Sequence, residues 1–471
     1  MSIPQLCAEL GLRPCGRIAP RRPCDIAGSR IGVGFETLER RHFDPERCYA
    51  PLAELGAKWA RVQTGWNLCE PEPGRYDFAW LDAVVDNLRA IGVQPFFSLS
   101  FGNVLYTPDA PHPSARGRVP LYYGQEAINA WCAYVQALTR HFADRVQHWE
   151  IWNEPNANNF WLPGPPDPVR YMELLALTAP IVRAAVPQAV IIGGAFSCPN
   201  PWWKYDFIEA CFVQGMGRWI DAVSFHPYNA IPERGYRSEV AVLRRLIAAH
   251  APGCQLWQGE CGCPSRDSGL GEFRAIAGLD ETKQAKWALR RLLIDLSLDL
   301  DHTQYFHLVD LFNYIKEKPT GENHYMGLLH GEDYTPKPSY RAVQVLCAVF
   351  DDATRRADML FHATSAPGVA PPARLDLAAI EQASFIRHGN PLYTWWYPAD
   401  LGDALPPQPV CLHFWHGSSA HWDEPVLIDT LDGTIYDLTG VQREKGGDLS
   451  AVLPVADHPL LLTERQHAGD G

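Results

Sequence analysis

No apolar run in these 471 residues reaches the roughly 18 positions that a membrane-spanning helix needs. The opening stretch MSIPQLCAELGLRPCGRIAPRRPCD also has no basic head followed by an apolar segment. The chain is therefore expected to be soluble and cytoplasmic, with no membrane partner. Positive charge is in deficit, 41 Lys and Arg against 54 Asp and Glu for a net charge of −13. That balance disfavours nucleic acid and anionic lipid and suits a neutral ligand. No glycine fingerprint follows the first strand-like run, which counts against an open dinucleotide-binding sheet. No internal repeat or low-complexity tract is present. The 13 cysteines are odd in number and scattered, which suits reduced thiols better than a disulfide framework. Cys261 and Cys263 are separated by one residue and lack a second pair or a His partner. They read as core thiols and not as a metal site.

What is present is enough to fold. Hydrophobic residues make up 46% of the chain, with 16 Trp, 18 Tyr and 19 Phe. The length exceeds what one hydrophobic core usually spans, so a large barrel domain with a smaller partner is expected. Eight β-rich runs alternate with helical patterns: 31–36, 59–65, 94–100, 147–152, 189–195, 222–228, 255–262 and 303–310. Between them, Leu81, Val84, Val85, Leu88 and Ile91 recur at helical spacing before Gly92, a helix stop, and Trp131, Val135, Leu138 and Phe142 repeat the pattern. This order predicts an α/β fold, a (β/α)8 TIM barrel over residues 28–350. Beyond a helix containing Tyr340, Val343 and Leu346, short strands with turn signals predict an antiparallel β-sandwich over 351–471. Asp432-Gly433 between Ile428 and Ile435 reads as a two-residue hairpin turn. Residues 1–27 are expected as an N-terminal segment adding a strand to the sandwich.

A barrel of this kind opens its pocket at the C-terminal ends of its strands. The fourth run ends in His148-Trp149-Glu150-Ile151-Trp152-Asn153-Glu154-Pro155-Asn156, and the seventh in Leu256-Trp257-Gln258-Gly259-Glu260-Cys261-Gly262. Each delivers a glutamate to the mouth. Two facing carboxylates can cleave a glycosidic bond, one protonating the leaving oxygen while the other attacks or positions water. The two must then have different pKa values; an ionised Glu260 would raise that of Glu154, and Arg61 or Tyr228 would hold Glu260 charged. An isolated glutamate is most often a solvated surface group, and only the pairing at matched strand ends lifts Glu154 above that reading. Glu150, on the same strand face as Glu154, is a decoy expected deeper in the barrel beside a base such as Arg61.

WEIWNEPN with FW shortly after, then VSFHPY and WQGECG, occurring in that order, resemble the clan A retaining glycoside hydrolases. They are most similar to family 39, the β-xylosidase and α-L-iduronidase group. The likeness also covers YDFAWLDAVVDNLRAIGVQPFFSLS, MGLLHGEDYTPKPSYRAV and the terminal VLIDTLDGTIYDL. It implies a retaining β-glycosidase needing no cofactor, with Glu154 as acid/base, Glu260 as nucleophile and Asn153 bonding the sugar 2-hydroxyl. Strand alternation alone points Asn153 away from Glu154, so a local twist is required at that strand end. His226 and Tyr228 match the family's His-Pro-Tyr positions. His307, in TQYFHLVD, stands where the family presents a Trp beneath the sugar.

Sugar sites are walled by aromatic rings. Phe160 and Trp161, just after Glu154, are the first candidates, with Trp66, Tyr122, Trp202 and Trp203 more readily taken as packing. The loop 313–325, carrying Lys316, Glu322, Asn323 and His324, is expected as a rim that selects the sugar. Trp395 and Trp396 read as sandwich core before they read as a carbohydrate face. The expected activity is exo-cleavage of short oligosaccharides or simple glycosides, β-xylosidase-like, with a carbohydrate substrate as partner. An endo-acting hydrolase of the same clan and a catalytically silent sugar-binding barrel are the alternatives.

Overall fold

The computed structural model describes the whole chain except residues 111–113, 199–204, 268–270, 316–321, 368–374, 404, 416–421, 439–441, 444–447 and 469–471. Eight parallel strands close into a barrel: β1 Ile31–Gly34, β2 Trp59–Gln63, β3 Gln94–Leu99, β4 His148–Ile151, β5 Val190–Ser197, β6 Ala222–His226, β7 Gln255–Gln258 and β8 His302–Tyr305. The ring shuts where Ile31 and Gly32 of β1 lie beside Thr303 and Gln304 of β8. Each strand falls inside or across one of the eight expected runs. Several runs overshoot at their C-terminal ends, because there the backbone leaves the ladder to line the pocket. Helices follow the apolar spacing: Ala79–Ala90 buries Leu81, Val84, Val85 and Leu88, and Gly124–His141 buries Trp131, Val135 and Leu138. Gly92 takes a φ of +82°, a left-handed conformation that an L-residue adopts only with strain.

The barrel interior is layered. Near its N-terminal end, Phe96, Ile192, Ala222 and Trp257 form an apolar plug with Trp59 packed against it. His302 stacks on Trp257 at 4.5 Å. Above the plug the interior is polar, and that change of character raises the floor of the site toward the C-terminal mouth.

Outside the barrel, the described residues form two larger antiparallel sheets. One has seven strands, among them Glu381–Arg387, Asn390–Trp396, Pro425–Asp429 and Leu460–Glu464; the other has four, led by Leu360–Ser365, Gln408–Trp415 and Leu449–Val455. The strand Arg13–Arg17 pairs antiparallel with Thr434–Asp437, and the helix Ile3–Glu9 packs Ile3 and Cys7 into the sandwich core. Neighbouring tryptophans on one strand show the period of two: Trp395 faces the sandwich interior, while Trp396 joins the barrel's core. Both are fully buried, so neither forms a carbohydrate surface. The Asp432-Gly433 turn is longer than a two-residue hairpin. Residues 430–433 separate the strands, with Gly433 at φ +79° closing the turn through its N–H to the Asp429 carbonyl. Asp429 is diverted to bond His458 and the Leu431 N–H, which sets the wider loop.

Barrel and sandwich are joined by a buried polar contact. Glu233 accepts from Arg290 Nε at 2.8 Å and Nη2 at 2.6 Å, and from Trp396 Nε1 at 2.7 Å. Removing one partner of such a pair strands a buried charge, at roughly 3–5 kcal/mol. Glu233→Ala is expected to lose stability of that order in denaturant titration, whereas breaking the exposed Arg75–Glu72 pair leaves the midpoint unmoved.

Candidate active site

Arg61, pointing inward from β2 and fully buried, organises the floor of the mouth. Its Nε donates to Glu150 Oε2 at 2.8 Å and its Nη2 to Asn153 Oδ1 at 2.7 Å. Its Nη1 donates both to Glu260 Oε2 at 2.8 Å and to Glu36 Oε1 at 3.0 Å. Glu150 is fully buried beneath the pocket and held by this arginine, as its decoy reading expects. Glu260, just past β7, also accepts from the Tyr228 hydroxyl at 2.8 Å. Two donors, one of them a permanent cation, hold both oxygens of this carboxyl in place.

Glu154 follows β4 by three residues. Trp152 and Glu154 both lie in the left-handed region, at φ 72° and 47°. Such a conformation costs on the order of 1–3 kcal/mol per non-glycine residue. The two kinks break strand alternation, so Asn153 turns to Arg61 while Glu154 turns to His226, whose Nδ1 lies 3.0 Å from Glu154 Oε1. The twist required at this strand end is therefore present. Burial pushes the Glu154 carboxyl up to about 7, with Glu150 adding to the effect and Arg61 and Ser197 opposing it. Loss of solvent is the largest cause of that rise. Burial likewise pulls His226 down to about 4, so its ring is neutral between the two carboxyls.

Ligand atoms of Glu154, His226 and Glu260 all lie within 4.8 Å of one another, the one group among the described residues with a metal-like arrangement. Arg61 and Tyr228 already occupy the Glu260 oxygens, and the fixed positive charge 2.8 Å away opposes a cation there. Cys261 and Cys263 are buried with thiols pushed up by desolvation, consistent with core packing.

Several expected substrate contacts are placed otherwise. Arg61 and His226 have no exposed surface, so they reach a ligand only through the glutamates they hold. His307 is buried as well, Nε2 3.1 Å from the Glu36 carbonyl and Nδ1 against Val309. A ring tied to backbone on both sides cannot serve as an open sugar floor. Trp161 is fully buried, donating to the Tyr122 hydroxyl at 3.0 Å, because the chain folds back over Trp152. Trp66 is core too, bonded to Glu70. Phe160 alone of that pair stays partly exposed, stacked on Phe101 at 5.6 Å. Trp202, Trp203 and Lys316 lie outside the described residues.

Two residues at the mouth went unflagged by the sequence. Glu36 ends the first run, and the strand-end rule that singles out Glu154 and Glu260 applies equally to it. Tyr314, on the ribbon formed by Leu311–Ile315 and Glu322–His324, stacks on His324 at 4.1 Å, and burial raises its hydroxyl pKa, with Arg40 opposing and the Glu260 charge adding to the rise. An irregular loop after β8 carries no sequence signal for a ribbon that turns a side chain back over the pocket.

A closed (β/α)8 barrel with glutamates at the ends of its fourth and seventh strands is the arrangement expected from the resemblance to the clan A glycoside hydrolases. The sequence model of glycosyl hydrolases family 39 matches residues 70–254. A β-xylosidase of Caldicellulosiruptor saccharolyticus is 24% identical over 328 residues, 62% of each chain. A β-xylosidase of Geobacillus stearothermophilus is 28% identical over 168 residues, 33% of this chain and 31% of the relative. In both cases the match spans less than two thirds of the relative's length. A family 39 glycoside hydrolase structure from Bacteroides cellulosilyticus WH2 shares the fold at TM-score 0.65 and 19% identity, over 93% of this chain and 81% of that one. The family 39 enzyme from Xanthomonas axonopodis pv. citri does so at 0.60 and 17%, over 95% of each.

The Glu154 shift carries a sign. Its folded pKa of about 7 lies above the ordinary 4.5. Between those values the folded state holds a proton that the unfolded state releases, so stability falls as pH rises through this window and levels off above it, by roughly 3 kcal/mol. Glu154→Gln is expected to remove that slope, raising the melting temperature above neutral pH and leaving it near wild type in acid, as calorimetry at several pH values would show.

Proposed function

We propose that this chain is a retaining β-glycosidase acting by double displacement, with Glu260 as nucleophile and Glu154 as acid/base. The observation that carries the reading is the separation of the two carboxyls. Their oxygens approach within 4.8 Å, short of the roughly 6.5–9.5 Å that an inverting enzyme needs to seat a water and near the 5–5.5 Å of a retaining one. The electrostatics support this division of roles. Glu260 is held charged by Arg61 and Tyr228, while Glu154, at about 7, keeps a proton that it can also give up.

In the first step a Glu260 oxygen bonds to the anomeric carbon, the glycosidic C–O bond breaks, and the departing oxygen takes the proton of Glu154. In the second, Glu154, now a carboxylate, takes a proton from water as the water oxygen attacks the anomeric carbon and frees Glu260. Two inversions retain configuration. The fold needs no cofactor for this chemistry.

We take the substrate to be a terminal sugar of a short oligosaccharide or simple glycoside, xylosidase-like, in keeping with the relatives named β-xylosidase. Because all 13 cysteines are unpaired, two of them exposed, we place the enzyme in the reducing cytoplasm. A silent sugar-binding barrel has no physical use for a carboxyl whose burial opposes its ionisation beside a second acid.

A panel of nitrophenyl glycosides tests the reading, with β-xyloside expected to turn over and Glu260→Gln to abolish turnover. Glu154→Ala should cost roughly 10²–10⁴-fold on poor leaving groups, less on dinitrophenyl glycosides, with azide restoring activity. A 2-fluoro glycoside should label Glu260, and labelling of any other residue sinks the assignment. Xylo-oligosaccharides should release only monomer; internal cuts select the endo-acting alternative.

A further inference from the structure

Glu36 is the acidic group at the mouth for which the double displacement has no task. It follows β1 by two residues and is 1% exposed, too deep to touch a sugar. Every neighbour that faces it belongs to the floor. Oε1 accepts from Arg61 Nη1 at 3.0 Å, from β2, and from Gln304 Nε2 at 3.2 Å, from β8. Oε2 has no hydrogen-bond partner, with His307 Nε2 3.6 Å away and already 3.1 Å from the Glu36 carbonyl. Glu260 stands on the other side of the same Nη1, and Glu150 lies across the guanidinium on β4.

The charges in this cluster do not balance if all are ionised. One guanidinium touches three carboxyls, Glu36, Glu150 and Glu260, each buried or nearly so. A low-dielectric site does not hold that surplus of negative charge, and the member with the least charged donation and no solvent gives up its charge first. Glu150 accepts from two charged Arg61 nitrogens on Oε2, its Oε1 left bare, and Glu260 accepts from Arg61 and Tyr228 with some access to solvent. Glu36 has one hydrogen from the guanidinium nitrogen it shares with Glu260, one neutral amide donor and, like Glu150, a bare oxygen.

We infer that Glu36 is a positioning residue for Glu260: standing as a neutral carboxylic acid against Arg61, it fixes the guanidinium and leaves its charge to the reacting carboxylate. The inference rests on the glycosidase reading above. Desolvation acts in the same direction, holding the Glu36 carboxyl above the ordinary carboxylate range, with the Glu260 charge adding to it and Arg61 opposing. His307 is neutral, pulled down to about 3 by burial, and supplies no competing charge. Once Glu36 loses its proton at alkaline pH, Arg61 faces a third anion and its hold on Glu260 weakens.

Glu36→Gln keeps the shape and neutrality of the protonated acid, and Glu36→Ala removes the contact. With a dinitrophenyl glycoside, whose departure needs no proton from Glu154, kcat/KM of the wild type should fall at alkaline pH. Glu36→Gln should match the wild type within about threefold at neutral pH and lack the alkaline fall, while Glu36→Ala should lose about tenfold or more. Infrared spectra at neutral pH, taken in the Glu154→Gln background, should contain a protonated-carboxyl band that Glu36→Gln removes. A tenfold loss in Glu36→Gln, an unchanged alkaline limb, or a band that survives the substitution each overturns the inference. If the wild type turns over no glycoside, the glycosidase reading fails and takes the role toward Glu260 with it. Turnover together with a surviving band rejects Glu36 alone.

Discussion

A single buried guanidinium is the constraint on which the mouth of this barrel depends. Arg61 reaches residues delivered by the first, third, fourth and seventh strands, and its donors fix Glu36, Ser98, Glu150, Asn153 and Glu260. Burying a charge with no counter-charge is prohibitively costly, so the arginine and its carboxyls stand or fall together. Because those partners come from distant parts of the chain, the network can exist only once the barrel has closed. The site is thus assembled by closure of the fold, and its geometry is as rigid as the strands that hold it.

Closure also separates the fates of chemically identical side chains. Glu36, Glu150 and Glu260 all touch Arg61 and Glu154 lies beside Glu260, yet their settings differ. Glu150 is locked under two guanidinium donors, Glu260 keeps two donors and some solvent, and Glu154 faces a neutral imidazole and is raised by burial. Strand position alone does not distinguish them; the charge of their donors and the access to water do.

The barrel is legible in the sequence because alternating β and helical periodicities repeat eight times, and because crossover topology leaves few ways to arrange them. The pairing of Glu154 with Glu260 is legible because each ends a strand run. Burial within the mouth is not. His307, Trp161 and Arg61 sit at positions that face inward, but whether an inward side chain meets ligand or is roofed over depends on loops from other strands. Tyr122 covers Trp161, and the Glu36 and Val309 backbone covers His307. The cause of the Glu154 shift was hidden for the same reason: desolvation is a property of everything packed around a group, and it cannot be read from the group's own neighbours in sequence.

The pairing of Arg13–Arg17 with Thr434–Asp437 has a topological meaning of its own. The sandwich draws on chain from before and after the barrel, so the barrel is, in effect, an insert within a β-unit whose first strand precedes it. Trimming the leading residues would strip a neighbour from Thr434–Asp437 and leave that rim of the seven-stranded sheet open to pairing with another molecule. The small domain is therefore no detachable appendage, and its solubility is tied to a segment more than four hundred residues away in sequence.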